Sequence, residues 1–290
     1  MNNHQKIILE NPSKSDLSLP KNDNKDKTKT HKYSKKLHPN KPLITVVTVV
    51  FNGDKFLEET IKSVIKQTYG NIEYIIIDGG STDRTVDIIK KYEDKIAYWV
   101  SEKDDGIADA FNKGVMAAKG EYINFQGDSD GFYSTCALEK VFNNVNTKED
   151  VLISAKVQRV DINGKELYVS KHVSNFNKKS LLFRMSIPHQ GLFTHKSYFE
   201  KYGLFDVNNV FCMDYEHLLR SYHHFPKVLT KNIIVARWRA DGLNNDRILE
   251  IFKEYCQIKN NNKVASNLFL YFIKYWSLLK FYIKTLLKKI

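Results

Sequence analysis

Residues 43–51 read LITVVTVVF, apolar or β-branched at every position. A strand with no polar alternation is buried on both faces, which is the situation of a parallel sheet covered by helices on either side. Asn52-Gly53 then ends it with turn residues. The same unit recurs. Phe56, Leu57, Ile61, Val64 and Ile65 at three-and-four spacing predict a helix over 56–68, and Glu73–Ile77 predicts a second strand closing on Asp78-Gly79-Gly80-Ser81. Ser81 is expected to cap a helix from Asp83 to Lys91. A third strand over Ile96–Val100, a helix over Ile107–Ala118 and a fourth strand in Tyr122, Ile123 and Phe125 complete the series. Four strands alternating with three helices, with a polar cluster after each strand, predict an α/β, doubly wound, mostly parallel sheet. Its ligand crevice lies outside the carboxyl ends of the strands. Asn52, Asp78, Asp104, Asp105, Asp128 and Asp130 all fall on that edge.

The fourth strand empties at Gly127 into Asp128-Ser129-Asp130. Two carboxylates one residue apart suit a hard cation, and together with phosphate oxygens they make a setting for Mg²⁺ or Mn²⁺ against a diphosphate. Asp, Ser and Gly are also what an ordinary turn uses.

A chain of 290 residues with 42% hydrophobic and 12% aromatic residues can build a substantial core. Its three cysteines, Cys136, Cys212 and Cys256, are odd in number and lack metal-ligand spacing, which points to a reducing compartment. The first residues show no signal-peptide core, and no uncharged apolar run is long enough to span a bilayer, so a cytoplasmic protein is expected, with a peripheral place on the inner face of the membrane if its last helix binds lipid. The net charge of +12 asks for an anionic partner. Nucleic acid is not expected to be that partner. The lysines concentrate in a tail and a terminal helix, and no helix-turn-helix, RNP or zinc pattern is present.

Residues 1–41 hold ten lysines against four acids and few large apolar residues, so a disordered basic tail is expected. Residues 42–133 form the first half of the fold and 134–263 a second half. There Val151–Val160 and Lys165–Val169 flank an Asn163-Gly164 hairpin turn. PHQGLFTHKSYFEKYGLFD and MDYEHLLR follow. Asp214 opens the second of these segments, where it could cap a helix or serve as a base, with Glu216 two residues on. His189 and Gln190 precede an apolar strand, and His189 could equally be a packed histidine or a substrate ligand. Residues 264–290 predict a basic amphipathic helix. Leu268, Phe272, Trp276, Leu279, Ile283, Leu286 and Ile290 share one face, and Lys274, Lys280, Lys284, Lys288 and Lys289 take the other half. Such a helix lies on an anionic membrane or docks on the domain's own core.

The pieces ITVVTVVFN, SVIKQTYGNIEYIIIDGGSTDRT, DDGIADAFNKGVMAAKGEYI and GDSD, in that order and spacing, resemble the family 2 glycosyltransferases, which have a GT-A type fold. The resemblance implies a nucleotide-half sheet, a smaller mixed acceptor-side region and a nucleotide-sugar donor. It places Phe51 beside the base, Asn52 and Asp78 near base or ribose, Asp109 in the pocket wall, and Asp128 and Asp130 at the ribose and the metal-bridged diphosphate. In the second half it makes Asp214 the matching acid, with His189, Gln190 and Glu216 as weaker sugar-contacting positions. Two departures stand out: relatives often carry Asp-Asp where this chain has Asp78-Gly79, and Val49-Val50 replaces a segment that often holds Pro or a hydroxyl residue.

The implied function is metal-dependent, inverting transfer of a sugar from a UDP-sugar to a hydroxyl of a glycan or lipid-linked acceptor in surface-polysaccharide synthesis. Inversion needs one base for the hydroxyl and one cation for the leaving diphosphate. The alternative is a non-catalytic nucleotide-sugar-binding or scaffolding subunit of a polysaccharide assembly, which would bind nucleotide without releasing it from the donor.

Overall fold

The computed structural model describes residues 28–30, 41–149, 151–172, 174–240 and 247–287. The predicted alternation forms. Strands β2 (Ile44–Val50), β3 (Ile72–Asp78), β4 (Tyr98–Ser101) and β5 (Tyr122–Gly127) are separated by helices α1 (Leu57–Ile65), α2 (Thr85–Lys91) and α3 (Ile107–Ala117). Every residue of β2 is buried, as its unbroken apolar pattern requires. These four strands pair in parallel in the order β4-β3-β2-β5. The chain thus builds outward from β2 on one side and then returns to its other side. That reversal creates a crevice between the carboxyl ends of β2 and β5.

A three-residue strand β1 (Thr28–Thr30) adds antiparallel to β4 at the sheet edge. It lies inside the stretch expected to be disordered, and the remainder of residues 1–40 is outside the described residues. Ser81 does not cap α2, because that helix starts four residues later, after Arg84. The Ser81 hydroxyl instead donates to the Asp78 carboxylate.

After a short β6 (Gly131–Phe132) and helix α4 (Ala137–Val141), the second half continues the same sheet. Its strands are β7 (Leu152–Val160), β8 (Glu166–Val169), β9 (Leu192–His195) and β10 (Val228–Arg239). β7 and β8 form the expected hairpin, with Gly164 at φ 83° in the turn. β9 runs antiparallel between β5 and β7, and β10 runs parallel to β7. β7 and β10 therefore point the same way as β2 to β5 and end on the same edge. β9 begins there.

Helices α5 (Lys196–Tyr202), α6 (Met213–Arg220) and α7 (Ile248–Asn261) cover this half. The terminal helix α8 (Asn267–Leu287) follows. Leu270 and Ile273 of α8 are buried with Ile258 and Val264 in the second-half core. The face predicted to be its apolar one points outward: Leu268, Phe272, Trp276, Leu279, Ile283 and Leu286 are exposed. The docked stripe is a different one, carried by Leu270 and Ile273. Ile290, Lys288 and Lys289 lie outside the described residues, and no helix among those residues is long and apolar enough to cross a membrane.

Candidate active site

At the end of β2 the chain leaves the sheet through Phe51, whose ring is 62% exposed. Asn52 takes a left-handed conformation (φ 51°), which Asn tolerates better than most residues. Its Oδ1 accepts from Thr82 N at 2.9 Å while its own N–H donates to Ser81 Oγ at 2.7 Å, fastening the β2 turn to the β3 turn. Gly53 is a matter of space. A Cβ there would lie 2.3 Å from Asp128 Oδ2 and 2.6 Å from Val50 Cγ2, so the β2 and β5 exits meet only because residue 53 has no side chain.

Asp78 is fully buried, and its carboxylate accepts from the Ser81 N–H at 3.0 Å, the Ser81 hydroxyl and the Ser101 hydroxyl at 2.6 Å. It braces the DGGS loop rather than projecting into the crevice. The departure at Gly79 has a structural counterpart. A Cβ on Gly79 would lie 2.5 Å from Asp104 Oδ2 and 3.5 Å from the Phe51 ring, so the Asp104 carboxylate, from the loop after β4, fills the place a side chain at 79 would enter. Burial pushes the Asp104 carboxyl above its ordinary value, with Asp109 and Asp78 acting in the same direction against Gly106 N–H and Lys113. Asp109, on the first turn of α3, accepts from Asp105 N at 3.2 Å and pairs with Lys113 at 3.3 Å.

Asp128 and Asp130 lie at the end of β5. Asp130 is 7% exposed, and its carboxylate accepts from Gly127 N at 3.1 Å, Gln190 Nε2 at 3.0 Å and Arg239 N at 3.2 Å. All three donors are neutral groups, and Asp130 makes no ion pair with any described residue. Burial pushes its pKa up to about 6, with the Asp128 charge adding to the effect. A buried carboxylate without a cationic partner, next to a second carboxylate, fits a divalent cation. Among the described residues no three His, Cys, Asp or Glu side chains converge as a complete metal cage.

The antiparallel course of β9 brings its leading turn, His189–Gly191, to this same edge. Gln190 reaches Asp130 as described. The backbone carbonyl of Gln190 accepts from Asn124 Nδ2 and Gln126 Nε2, both at 3.1 Å, which fixes the turn on β5. His189 stacks on Phe125, with centroids 5.3 Å apart and planes at 14°. Its Nδ1 faces Asp214 Oδ2 at 3.8 Å. Asp214 sits in the first turn of α6, and its Oδ1 accepts from Tyr215 N at 2.7 Å. It is not the cap of that helix. Cys212 holds the N-cap position, and the N–H groups of Phe211 and Cys212, just before the first turn, donate to Glu254 of α7 at 3.1 and 2.8 Å.

Glu216 is not brought to this group. Two residues beyond Asp214, it turns to another side of α6, where its buried carboxylate pairs with Arg220. Arg220 in turn donates to the carbonyls of Tyr202 and Leu204, both at 2.7 Å, so the pair anchors the α5–α6 connection.

Two contributors went unread in the sequence, Arg239 and Glu254, and Asp104, expected on this edge, was not expected over Gly79. Arg239 closes β10 against the acid pair, donating its N–H to Asp130 and its Nη1 to Ile162 O at 3.0 Å, with its guanidinium over the Phe56 ring. The β-branched and aromatic run IIVARWR was the available signal for that strand.

Comparisons with known proteins agree with this geometry. The chain is 32% identical over 183 residues to an uncharacterized glycosyltransferase of Rickettsia typhi, covering 60% of this chain and 57% of the relative, so it spans little more than half of that protein's length. A PGL/p-HBAD biosynthesis glycosyltransferase of Mycobacterium bovis is 24% identical over 243 residues, covering 81% of this chain and 91% of the relative. Among solved structures, residues 1–349 of S. aureus TarS in complex with UDP-GlcNAc superpose with a TM-score of 0.63 at 14% identity, covering 81% of this chain and 71% of that one. The mannosyltransferase PcManGT from Pyrobaculum calidifontis, in complex with GDP-Man and Mn²⁺, gives 0.56 at 17%, covering 78% and 66%. Those structures share the GT-A type fold. The sequence model of Glycosyl transferase family 2 matches residues 45–213, and with it the β2–β5 crevice, the acid pair and the approach to Asp214; the chain belongs to that family.

Proposed function

We propose that this protein is a metal-dependent, inverting glycosyltransferase that moves a sugar from a UDP-sugar to a hydroxyl of a glycan or lipid-linked acceptor in surface-polysaccharide synthesis. The observation that carries the reading is the pairing, on one sheet edge, of two kinds of acid. Asp128 and Asp130 stand at the topological switch point, where the buried Asp130 has no cationic partner among the described residues, and Asp214 stands apart, its Oδ2 approaching His189 Nδ1 at 3.8 Å. UDP is favoured by the likeness to TarS, whose solved complexes hold UDP and UDP-GlcNAc.

In this reading the exposed Phe51 ring is the platform for the base, while Asn52, Asp78 and Ser81 hold the two loops that frame the ribose. Asp109, with Lys113, forms the α3 wall of the pocket. Asp128 and Asp130 would hold the divalent cation, whose chemistry is to neutralise charge developing on the departing diphosphate. Asp214 Oδ2 takes the proton of the acceptor hydroxyl as its oxygen bonds to the anomeric carbon from the face opposite the diphosphate. The carbon–oxygen bond to the diphosphate breaks with its electron pair, and configuration inverts. No covalent sugar–protein bond is required.

Helix α8 supports a peripheral place on an anionic membrane. Tyr271, Phe272, Tyr275, Trp276 and Tyr282 are exposed along it beside Lys274 and Lys280, the combination of aromatic and basic side chains that lies at a lipid interface. The division into a nucleotide half at 42–133 and an acceptor half at 134–263 belongs to the same proposal.

The test is turnover of a panel of UDP-, GDP- and dTDP-sugars with and without Mn²⁺, read as nucleoside diphosphate release. Release from a UDP-sugar that depends on metal is expected. Tight nucleotide binding with no release from any donor, across glycan and polyprenyl-phosphate acceptors, would favour a silent binding subunit instead.

A further inference from the structure

One turn touches both acid sites. Within His189–Gly191, Gln190 donates to Asp130 at 3.0 Å while His189 presents Nδ1 to Asp214 Oδ2 at 3.8 Å. The His189 side chain is 16% exposed and held on its faces and edge by aromatic rings: Phe125 in a parallel stack, Phe111 with centroids at 5.3 Å, and Phe205 at 6.5 Å. Such packing fixes the ring plane, and it leaves little room for the imidazole to turn toward a sugar.

The two ring nitrogens meet different surroundings. Nδ1 faces a carboxylate, which when ionised can only accept. Among the described residues Nε2 is buried with no hydrogen-bond partner, and His189 lines a small cavity of about 10 Å³ together with Thr194, Tyr198, His217 and Asp214. That volume is the size of one water molecule. Burial pushes the His189 pKa down, so the ring is neutral near pH 7 and carries one N–H. Placing that hydrogen on Nδ1 turns the contact with Asp214 into an attraction. The opposite tautomer would set a nitrogen lone pair against the carboxylate.

We propose that His189 is the positioning residue for the base, its Nδ1–H holding Asp214 Oδ2 so that the carboxylate's remaining lone pairs meet the acceptor hydroxyl. The His189-Gln190 turn then sets the spacing between the base and the donor's acid pair, because its second residue is tied to Asp130 and its backbone to β5. At 3.8 Å the two atoms stand just beyond hydrogen-bond distance, so the proposed bond requires Asp214 to close on the ring when substrate is bound. This role rests on the reading of Asp214 as the base.

The experiment is a double-mutant cycle on the full chain with Mn²⁺ and saturating UDP-sugar. His189→Phe keeps the stack and removes the donor, and it should lower kcat by about 10- to 100-fold, the scale of a lost hydrogen bond to a charged group, while the donor KM stays within about twofold. His189→Asn, whose amide N–H falls near the place of Nδ1, should recover most of that loss. In an Asp214→Asn background, His189→Phe should cost less than about twofold more. Unimpaired kcat in His189→Phe beside a severely slowed Asp214→Asn overturns this role alone, as does an equal loss in both backgrounds. Normal turnover by Asp214→Asn removes the base assignment and this role with it. Should His189→Phe not fold, the His189→Asn comparison decides: a kcat within about threefold of the parent, set against at least tenfold loss in His189→Ala of equal melting temperature, supports the role, and equal rates for the two variants overturn it.

Discussion

The buried carboxyl of Asp130 makes a quantitative prediction about stability. Its pKa stands at about 6 in the folded, metal-free protein against 3.8 for an ordinary aspartate, because burial disfavours the charged form. An acid whose folded pKa is raised contributes stability that is fully present below the unfolded value and is lost as pH rises through the folded value. The window is therefore pH 3.8 to 6. Two pKa units of difference correspond to about 3 kcal/mol, of which about 1.4 kcal/mol is recovered between pH 7.5 and pH 5. Other groups titrate in the opposite sense, above all the buried His217, whose pKa is pushed down to about 3, first by burial and then by Arg220. The measurement must therefore be a difference. Urea unfolding of the parent and of Asp130→Asn, metal-free, should show the parent gaining about 1.4 kcal/mol relative to the variant on going from pH 7.5 to 5. Subtraction cancels the fixed cost of the Asn amide against three N–H donors. Mn²⁺ at pH 7.5 should then stabilise the parent by RT ln(1 + [Mn²⁺]/Kd) and the variant far less. A difference that stays flat with pH, or an equal Mn²⁺ gain in both proteins, would refute the placement of a cation beside an otherwise unpaired carboxylate.

Gly53→Ala should weaken UDP binding by at least about tenfold in calorimetry and lower the melting temperature, because the new methyl must displace Asp128 or the buried Val50. Asn112→Leu should destabilise by about 2–4 kcal/mol in urea unfolding, since the buried amide donates to Phe205 O and accepts from Phe205 N, both at 2.9 Å, and the variant leaves both backbone groups without a partner. On α8, Ile273→Asp should unfold the second-half core. Trp276→Ser with Tyr282→Ser should leave the melt unchanged and reduce sedimentation with anionic vesicles, whereas unchanged sedimentation would count against a lipid face.

The first half of the sheet was legible because its residues repeat one local rule. Short unbroken apolar runs bounded by turn residues fit strands buried on both faces, and in a parallel sheet the polar groups that follow them lie on one edge, so the sequence itself places Asn52, Asp78 and Asp128 together. Their individual duties were not legible. Asp78 faces Ser81 and Ser101 rather than the crevice, and only the fold brings Ser101 there from β4. The family resemblance marked Asp214, but helix periodicity alone could not say whether it caps α6. In the structure Cys212 holds the N-cap position and Asp214 lies inside the first turn, where its Oδ1 takes the Tyr215 N–H, while Glu254 accepts from the two residues just before the helix. Glu216 was grouped with Asp214 by proximity in sequence, although a step of two residues on a helix turns a side chain to another face. The α8 wheel had the same weakness: periodicity gives the faces of a helix and is silent on which one docks. Its apolar residues surround more than half the circumference, so Leu270 and Ile273 could take the core and leave Phe272 and Trp276 outside.

Asp214 carries the central claim. Asp→Asn there keeps size and the contact with Tyr215 N while removing the group that takes the proton. With Mn²⁺ and a UDP-sugar, the Asp214→Asn variant should bind donor with the parent's affinity and release UDP at least about 10²-fold more slowly. Parent-like UDP release by a variant shown by melting to be folded would contradict the account.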